Sequence, residues 1–353
     1  MKPSIPSSAI NRRGLLSTLA VLPAFGTVLT ESAEAETTPP GGVLPSWNDG
    51  PAKQAIVDFV RATTDQASPK FVPPNERIAE FDQDGTLWVE HPVYTQFMYC
   101  LERVGPLVKE KPALKDREPF STVLSGDREA IAKMSMRDLF EILLATQSWM
   151  TVEEFSADVR QWLATAKHPR WKRPYTELVY QPMLEVLSYL RANGYKTFIA
   201  TGGSNSFVRE YSESVYGIPP EQVAGTSQPV KYGYDKDQRP VLTWEPKLVL
   251  DNLEAGKIEN FWLEYGCRPN AAFGNSSSDD QQMLEFVKAG SGARLSGLVQ
   301  HDDATREYAY VPAQELPETK IGTLSQAMYD MAKKQDWIII SMKNDWKRIF
   351  TFE

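Results

Sequence analysis

The sequence predicts an α/β protein: a Rossmann-like parallel sheet with an inserted all-helical domain. Three observations predict it. Short apolar runs without helical period recur at 78–81, 196–200, 271–273, 295–299 and 337–340, and read as buried strands. Helical patterns separate most of them, and strands alternating with helices imply a parallel sheet covered on both faces. From Pro92 to Pro182 the pattern is helical throughout, so a separate domain interrupts the alternation after the first strand.

The bounds agree with this. The chain has 353 residues, 42% hydrophobic and 24% charged, enough for a full α/β domain and a smaller one. A net charge of −8 argues against nucleic acid as the main partner. It leaves room for an anionic small substrate, because a local Lys or a metal reverses the sign inside a cleft.

Residues 1–35 stand apart from the fold. Asn11-Arg12-Arg13-Gly14-Leu15-Leu16 precedes an apolar run to Leu29, and Ala33-Glu34-Ala35 offers a small-x-small cleavage site. The arginine pair matches a twin-arginine export signal, which implies the twin-arginine machinery as a partner and a periplasmic or secreted protein. Pro23 and Gly26 interrupt the run and it is short for a span, so no stable membrane anchor is expected. Cys100 and Cys267, the only cysteines, are expected as free buried thiols. His91, His168 and His301 are too few and scattered for a zinc site.

Residues 36–75 read as an N-terminal linker and helix, with Pro51 in the first turn and Ala52, Ile56, Phe59 and Val60 on one face. The core domain is assigned to 76–91 and 183–353, and the helical domain to 92–182. In the latter, Met134, Met136, Leu139, Phe140, Leu143 and Leu144 form an apolar set. Thr151-Val152-Glu153-Glu154 is a capping box opening a helix with Phe155, Val159, Trp162 and Leu163 on one face. Helices are expected at 183–193, 207–215, 258–265 and from 281, and a hairpin over 229–244.

Chemistry gathers at strand ends, where open α/β sheets bind ligands. The first strand stops at Asp82-Gln83-Asp84-Gly85-Thr86. Two carboxylates one residue apart at the end of a buried strand are costly to ionise, and a hard cation such as Mg2+ removes that cost. Gly85 allows a sharp turn; the competing reading is an ordinary Asp-Gly surface turn. The second strand ends at Thr201-Gly202-Gly203-Ser204, either an anion site of hydroxyl, glycine N–H groups and helix N-terminus, or a plain helix cap. Lys257 follows Gly256 at a helix start, with Lys247 a weaker candidate for the same role. The strand at 271–273 runs into Gly274-Asn275-Ser276-Ser277-Ser278-Asp279-Asp280. His301-Asp302-Asp303 follows another strand end, either lining the site or capping the next turn.

Asp82-Gln83-Asp84-Gly85-Thr86-Leu87 resembles the first motif of the haloacid dehalogenase superfamily, and the other clusters are similar to its second, third and fourth motifs, in order, from about 76 to 300. The chain looks closest to the phosphoserine-phosphatase-like branch with a helical cap. The fourth motif is satisfied by either Asp279 or Asp280, and departs from the pattern in having Asn275 where an acid is usual. Asn keeps a carbonyl oxygen for Mg2+ with one negative charge fewer, so a lower metal affinity is expected.

The resemblance implies a Mg2+-dependent phosphatase acting on a small phosphorylated metabolite. Asp82 would be the nucleophile, Asp84 the general acid and base, and Thr201, Gly202 and Lys257 the phosphate cradle. Asp82, the Asp84 backbone carbonyl, Asn275 and Asp279 would hold the metal, and Glu90 is a candidate substrate contact. A phosphotransferase or dehalogenase of the same superfamily, or a non-catalytic anion-binding protein, are the alternatives; Asp84 speaks against the dehalogenase.

Overall fold

A computed structural model describes residues 42–310 and 321–353. The expected export signal, residues 1–35, and the start of the linker lie outside the described residues. Among the described residues, no helix is long and apolar enough to cross a membrane.

Helix α1 (Pro51–Thr64) has Pro51 in its first turn and buries Ala52, Ile56, Phe59 and Val60. The chain then enters β1 (Ile78–Phe81), buried at every position. Next come α2 (Thr95–Glu110), α3 (Phe120–Ser125), α4 (Arg128–Ala132), α5 (Met136–Gln147) and α6 (Val152–Thr165). Helix α6 starts on its capping box: Glu154 N donates to Thr151 Oγ1 at 3.1 Å, and Thr151 N to the Glu154 carboxylate at 2.8 Å. Helix α7 (Gln181–Ala192) feeds β2 (Lys196–Ser204); α8 (Asn205–Val208) and α9 (Ser212–Tyr216) lead to β3 (Val223–Thr226). Strands β4 (Val230–Tyr234) and β5 (Pro240–Trp244) form a separate antiparallel hairpin. The chain ends with α10 (Ala255–Tyr265), β6 (Ala271–Gly274), α11 (Gln281–Lys288), β7 (Leu295–Gln300), α12 (Gln326–Lys334) and β8 (Ile338–Ser341).

The main sheet runs β3-β2-β1-β6-β7-β8 with every pairing parallel. Strand β1 is therefore central, with the order reversing around it. In register, Phe81 lies opposite Ile199 on β2 and Phe273 on β6, so the loops at 82, 201 and 275 leave the sheet at nearly one level. Phe81 and Phe273 stack at 4.8 Å; burying each ring contributes on the order of 2 kcal/mol and fixes the two strand ends together.

Helices α2, α3, α5 and α6 share one apolar cluster with the core. It includes Phe97, Tyr99, Phe155 and Trp162 from the helices and Trp88, Phe207 and Tyr211 from the core, and the described residues form one compact unit.

Three expectations are corrected. The helix expected over 207–215 is two short ones, α8 and α9, separated where Tyr211 stacks on Trp88 at 4.8 Å and its hydroxyl takes a hydrogen bond from Gln83. Met136, expected in the core, is the first residue of α5 after the Ser135 cap and is 47% exposed; Ile142 and Leu143 carry the burial of that helix. Both cysteines are free, with Cys100 buried and Cys267 only half-buried.

Candidate active site

Asp82 leaves β1 with its N–H on the Phe273 carbonyl at 2.8 Å, which ties the carboxylate to the strand end. Gly85 makes the turn at φ 78°, where a Cβ would run into Asn275 and Glu90. Asp84 accepts from the Trp88 indole N–H at 2.8 Å and is only half-buried. The turn after β1 is thus part of a buried site, and not an ordinary surface turn.

Lys257 is fully buried in the first turn of α10, and its ammonium lies 2.6 Å from Asp82 Oδ1, Asp279 Oδ2 and Asp280 Oδ1 alike. Lys247 instead pairs at the surface with Glu245. Asp280 also accepts from the N–H groups of Asn275 and Ser276, both at 2.9 Å, so it holds the fourth loop in shape. Asp279 keeps 17% of its side chain exposed and takes the Glu254 N–H at 3.1 Å. Glu254, a non-glycine residue at φ 52°, is strained where it delivers α10 to the site.

Thr201 is buried at the end of β2. Its carbonyl accepts from Asn252 Nδ2 at 2.8 Å, and the Gly202 carbonyl from the Thr226 hydroxyl at 2.8 Å, so the second loop is held from behind. Gly202 lies against Asp279: a Cβ there would sit 3.1 Å from Asp279 Oδ2. From the helical segment, Gln96 accepts the Ser204 N–H at 2.8 Å, and Gln147 donates to the Ser206 hydroxyl at 2.6 Å.

Charge in this site is under-compensated. Three carboxylates face one ammonium, leaving two negative charges unpaired when all are ionised. Burial first, then Asp280, pushes the Asp82 carboxyl well above the usual range, against the pull of Lys257. Burial likewise raises Asp279 and Asp84 to about 6 each, against Lys257 for the one and chiefly the Trp88 hydrogen bond for the other. For Lys257, burial works to lower the pKa, but Asp279, Asp280 and Asp82 outweigh it and keep the ammonium charged.

The donor set fits a hard divalent cation. Asp82, Asp279 and Asp280 each offer an oxygen within 4.8 Å of the others. The Thr86 hydroxyl lies 3.3 Å from both Asp82 Oδ2 and Asn275 Oδ1, so those two oxygens face a common point.

Glu90 is buried in the site, its Oε1 accepting from Asn275 Nδ2 at 2.6 Å and from the Tyr310 hydroxyl at 2.5 Å. His301 lines the site: it is buried, with Nε2 2.7 Å from the Gly85 carbonyl, while Asp303 caps the next turn through the Thr305 and Arg306 N–H groups. Thr86, Tyr310 and Gln147 were not singled out in the sequence. Thr86 alone had a signal, its place beside Gly85.

A family model described as haloacid dehalogenase-like hydrolase matches residues 79–285. Among solved structures, the chain is similar to a protein of Bordetella pertussis Tohama I, at 13% identity over 75% of this chain and 98% of that one, with a TM-score of 0.46. It is also similar to a phosphoserine phosphohydrolase-like protein from Francisella tularensis subsp. tularensis SCHU S4, at 17% identity over 64% and 88%, TM-score 0.35. A phospho-aspartyl intermediate analogue of phosphoserine phosphatase gives 17% identity over 64% and 86%, TM-score 0.34. No curated protein matches the chain. Matched over more than half its length, from β1 into α11, the chain belongs to the haloacid dehalogenase-like hydrolases.

Proposed function

We propose that this protein is a Mg2+-dependent phosphomonoester hydrolase, acting on a small phosphorylated metabolite through an aspartyl-phosphate on Asp82. The observation that carries the reading is the convergence of Asp82, Asp279 and Asp280 on the Lys257 ammonium, each at 2.6 Å, at the end of the central strand. Asp82, Asn275 and Asp279, with the Asp84 backbone carbonyl, would hold Mg2+, which when bound supplies charge neutralisation for the nucleophile and the phosphoryl oxygens.

The chain's own groups divide the remaining work. A carboxylate oxygen of Asp82 attacks phosphorus, and the bond from phosphorus to the ester oxygen breaks. Asp84, raised to about 6 by burial, gives its proton to the leaving oxygen. It then takes a proton from the water that attacks the aspartyl-phosphate, releasing inorganic phosphate and restoring Asp82. The Thr201 hydroxyl and the Gly202 N–H hold phosphoryl oxygens, and Lys257 offsets their charge. Helices α2 to α6 act as the cap, excluding bulk water and selecting the substrate. Residues 1–35 are inferred to direct twin-arginine export, so the substrate would be met in the periplasm or outside the cell.

A panel of phosphate esters, assayed with and without Mg2+, tests the reading. Phosphate release that needs Mg2+ is expected. Turnover of no ester, or chloride release from haloacids in its place, would contradict it.

A further inference from the structure

Residue 275 poses a problem that geometry answers. An amide side chain has an oxygen end and an NH2 end of nearly equal size, and only the oxygen end can serve a cation. Asn275 turns its Nδ2 to Glu90 Oε1 at 2.6 Å, which leaves Oδ1 beside the Thr86 hydroxyl, 3.3 Å away, on the Asp82 side. Glu90 is itself held. It is 1% exposed, its Oε1 also accepts from the Tyr310 hydroxyl, and the Tyr310 ring stacks on His301 at 4.3 Å. His301 Nε2 in turn meets the Gly85 carbonyl at 2.7 Å, so the nucleophile loop and the Glu90 clamp are one assembly. Gly322, at φ 63°, packs so closely on the Glu90 carboxylate that any Cβ would collide with it.

We propose that Glu90 is a positioning residue for the cation: it selects the NH2 end of Asn275, so that the carbonyl oxygen faces Asp82. A carboxylate placed behind a ligand commonly sets that ligand's orientation and tunes the metal. The pair also accounts for the amide. An Asp at 275 would have no N–H to give Glu90 and would set two carboxyl groups at the spacing now held by a hydrogen bond, in a buried place where the two cannot both ionise.

The role rests on the Mg2+ reading above, and the test separates the two. Mn2+ binding to the full chain is measured by electron paramagnetic resonance for wild type, Glu90→Gln, Asn275→Asp and the double variant. Glu90→Gln keeps the shape of residue 90 but no longer selects one end of the amide, and about a 10- to 100-fold loss of Mn2+ affinity is expected. The double variant should recover wild-type affinity or better, because a carboxylate at 275 has no wrong end. Asn275→Asp alone should gain no affinity and unfold at a lower temperature than the double variant. Recovery in the double variant is a result that mere loss of packing at Glu90 cannot produce. Wild-type affinity in Glu90→Gln, or no recovery in the double variant, would overturn this role while leaving the metal reading intact. No Mn2+ binding by wild type would overturn both.

Discussion

Around Lys257 the protein buries charge, with four ionisable side chains in mutual contact; helices α2 to α6 instead bury mainly apolar and aromatic side chains. The two regions meet at the 201–206 loop, where Gln96 and Gln147 touch the backbone and hydroxyls of the second cluster. In the charged region each group's state depends on its neighbours, so one change propagates to all. In the helical region stability is spread over many dispersion contacts, and a single polar contact sets position only. Substitutions should therefore separate into large effects on chemistry and small effects on binding.

The largest effect should come from Asp82→Asn. Turnover of any ester should fall by at least about a thousandfold, while the unfolding temperature stays within a few degrees of wild type. Steady-state kinetics and a thermal melt check both; retained turnover would break the comparison at its root.

Lys257→Met should come next, and its first effect is on stability. Removing one partner of a buried charge cluster costs about 3–5 kcal/mol. The sign with pH follows from Asp279, whose folded pKa of about 6 lies above its ordinary 3.8. The folded state binds that proton more tightly than the unfolded one, so ionisation opposes folding as pH rises through 6. With the ammonium gone, the carboxyl pKa values rise further. The variant should thus be least stable in alkali and regain stability as acid protonates the cluster, which melts at about pH 5 and about pH 8 would reveal. A deficit that does not change with pH would mean that lost packing, not charge, dominates.

Asp84→Ala should slow alkyl phosphates by about a hundredfold or more and aryl phosphates much less, since aryl leaving groups need little protonation. In the wild type, the alkyl-ester rate should decline as pH rises through about 6, where Asp84 would lose the proton it is proposed to donate. Equal losses on both ester classes would remove Asp84 from the acid role.

Gln147→Ala sharpens the other side. One or two lost hydrogen bonds to Ser204 and Ser206 should raise KM by about fivefold and leave kcat nearly unchanged. A fall in kcat as large as that of Asp84→Ala would mean that the helical segment enters the chemistry.

The legible part of this site is the part fixed by local chain geometry. Asp82, Asp84 and Gly85 sit at a strand end where spacing alone puts two carboxylates and a turn together, and the 201–203 and 274–280 loops repeat the pattern on the flanking strands. The sheet is legible for the same reason: short unbroken apolar runs such as 271–273 have few other ways to be buried. Contacts across long sequence separations were legible only where the family resemblance joined them, as for Lys257 and Asp82. Glu90 meets Asn275 and Tyr310 only because β1, β6 and the chain after β7 end at one edge, and nothing at residue 90 encodes those partners. Met136 misled because period alone does not say where a helix's first turn faces. The bend at Tyr211 follows from tertiary packing on Trp88, which overrides a good helical pattern.

In the proposed mechanism Asp82 itself becomes phosphorylated. Rapid acid quench during turnover of a phosphate ester, followed by peptide mass analysis, should find phosphate on the peptide carrying Asp82 in the wild type, more of it in Asp84→Ala, where hydrolysis of the intermediate lacks its base, and none in Asp82→Asn. Sustained phosphate release with no phosphate ever found on Asp82 would contradict the account.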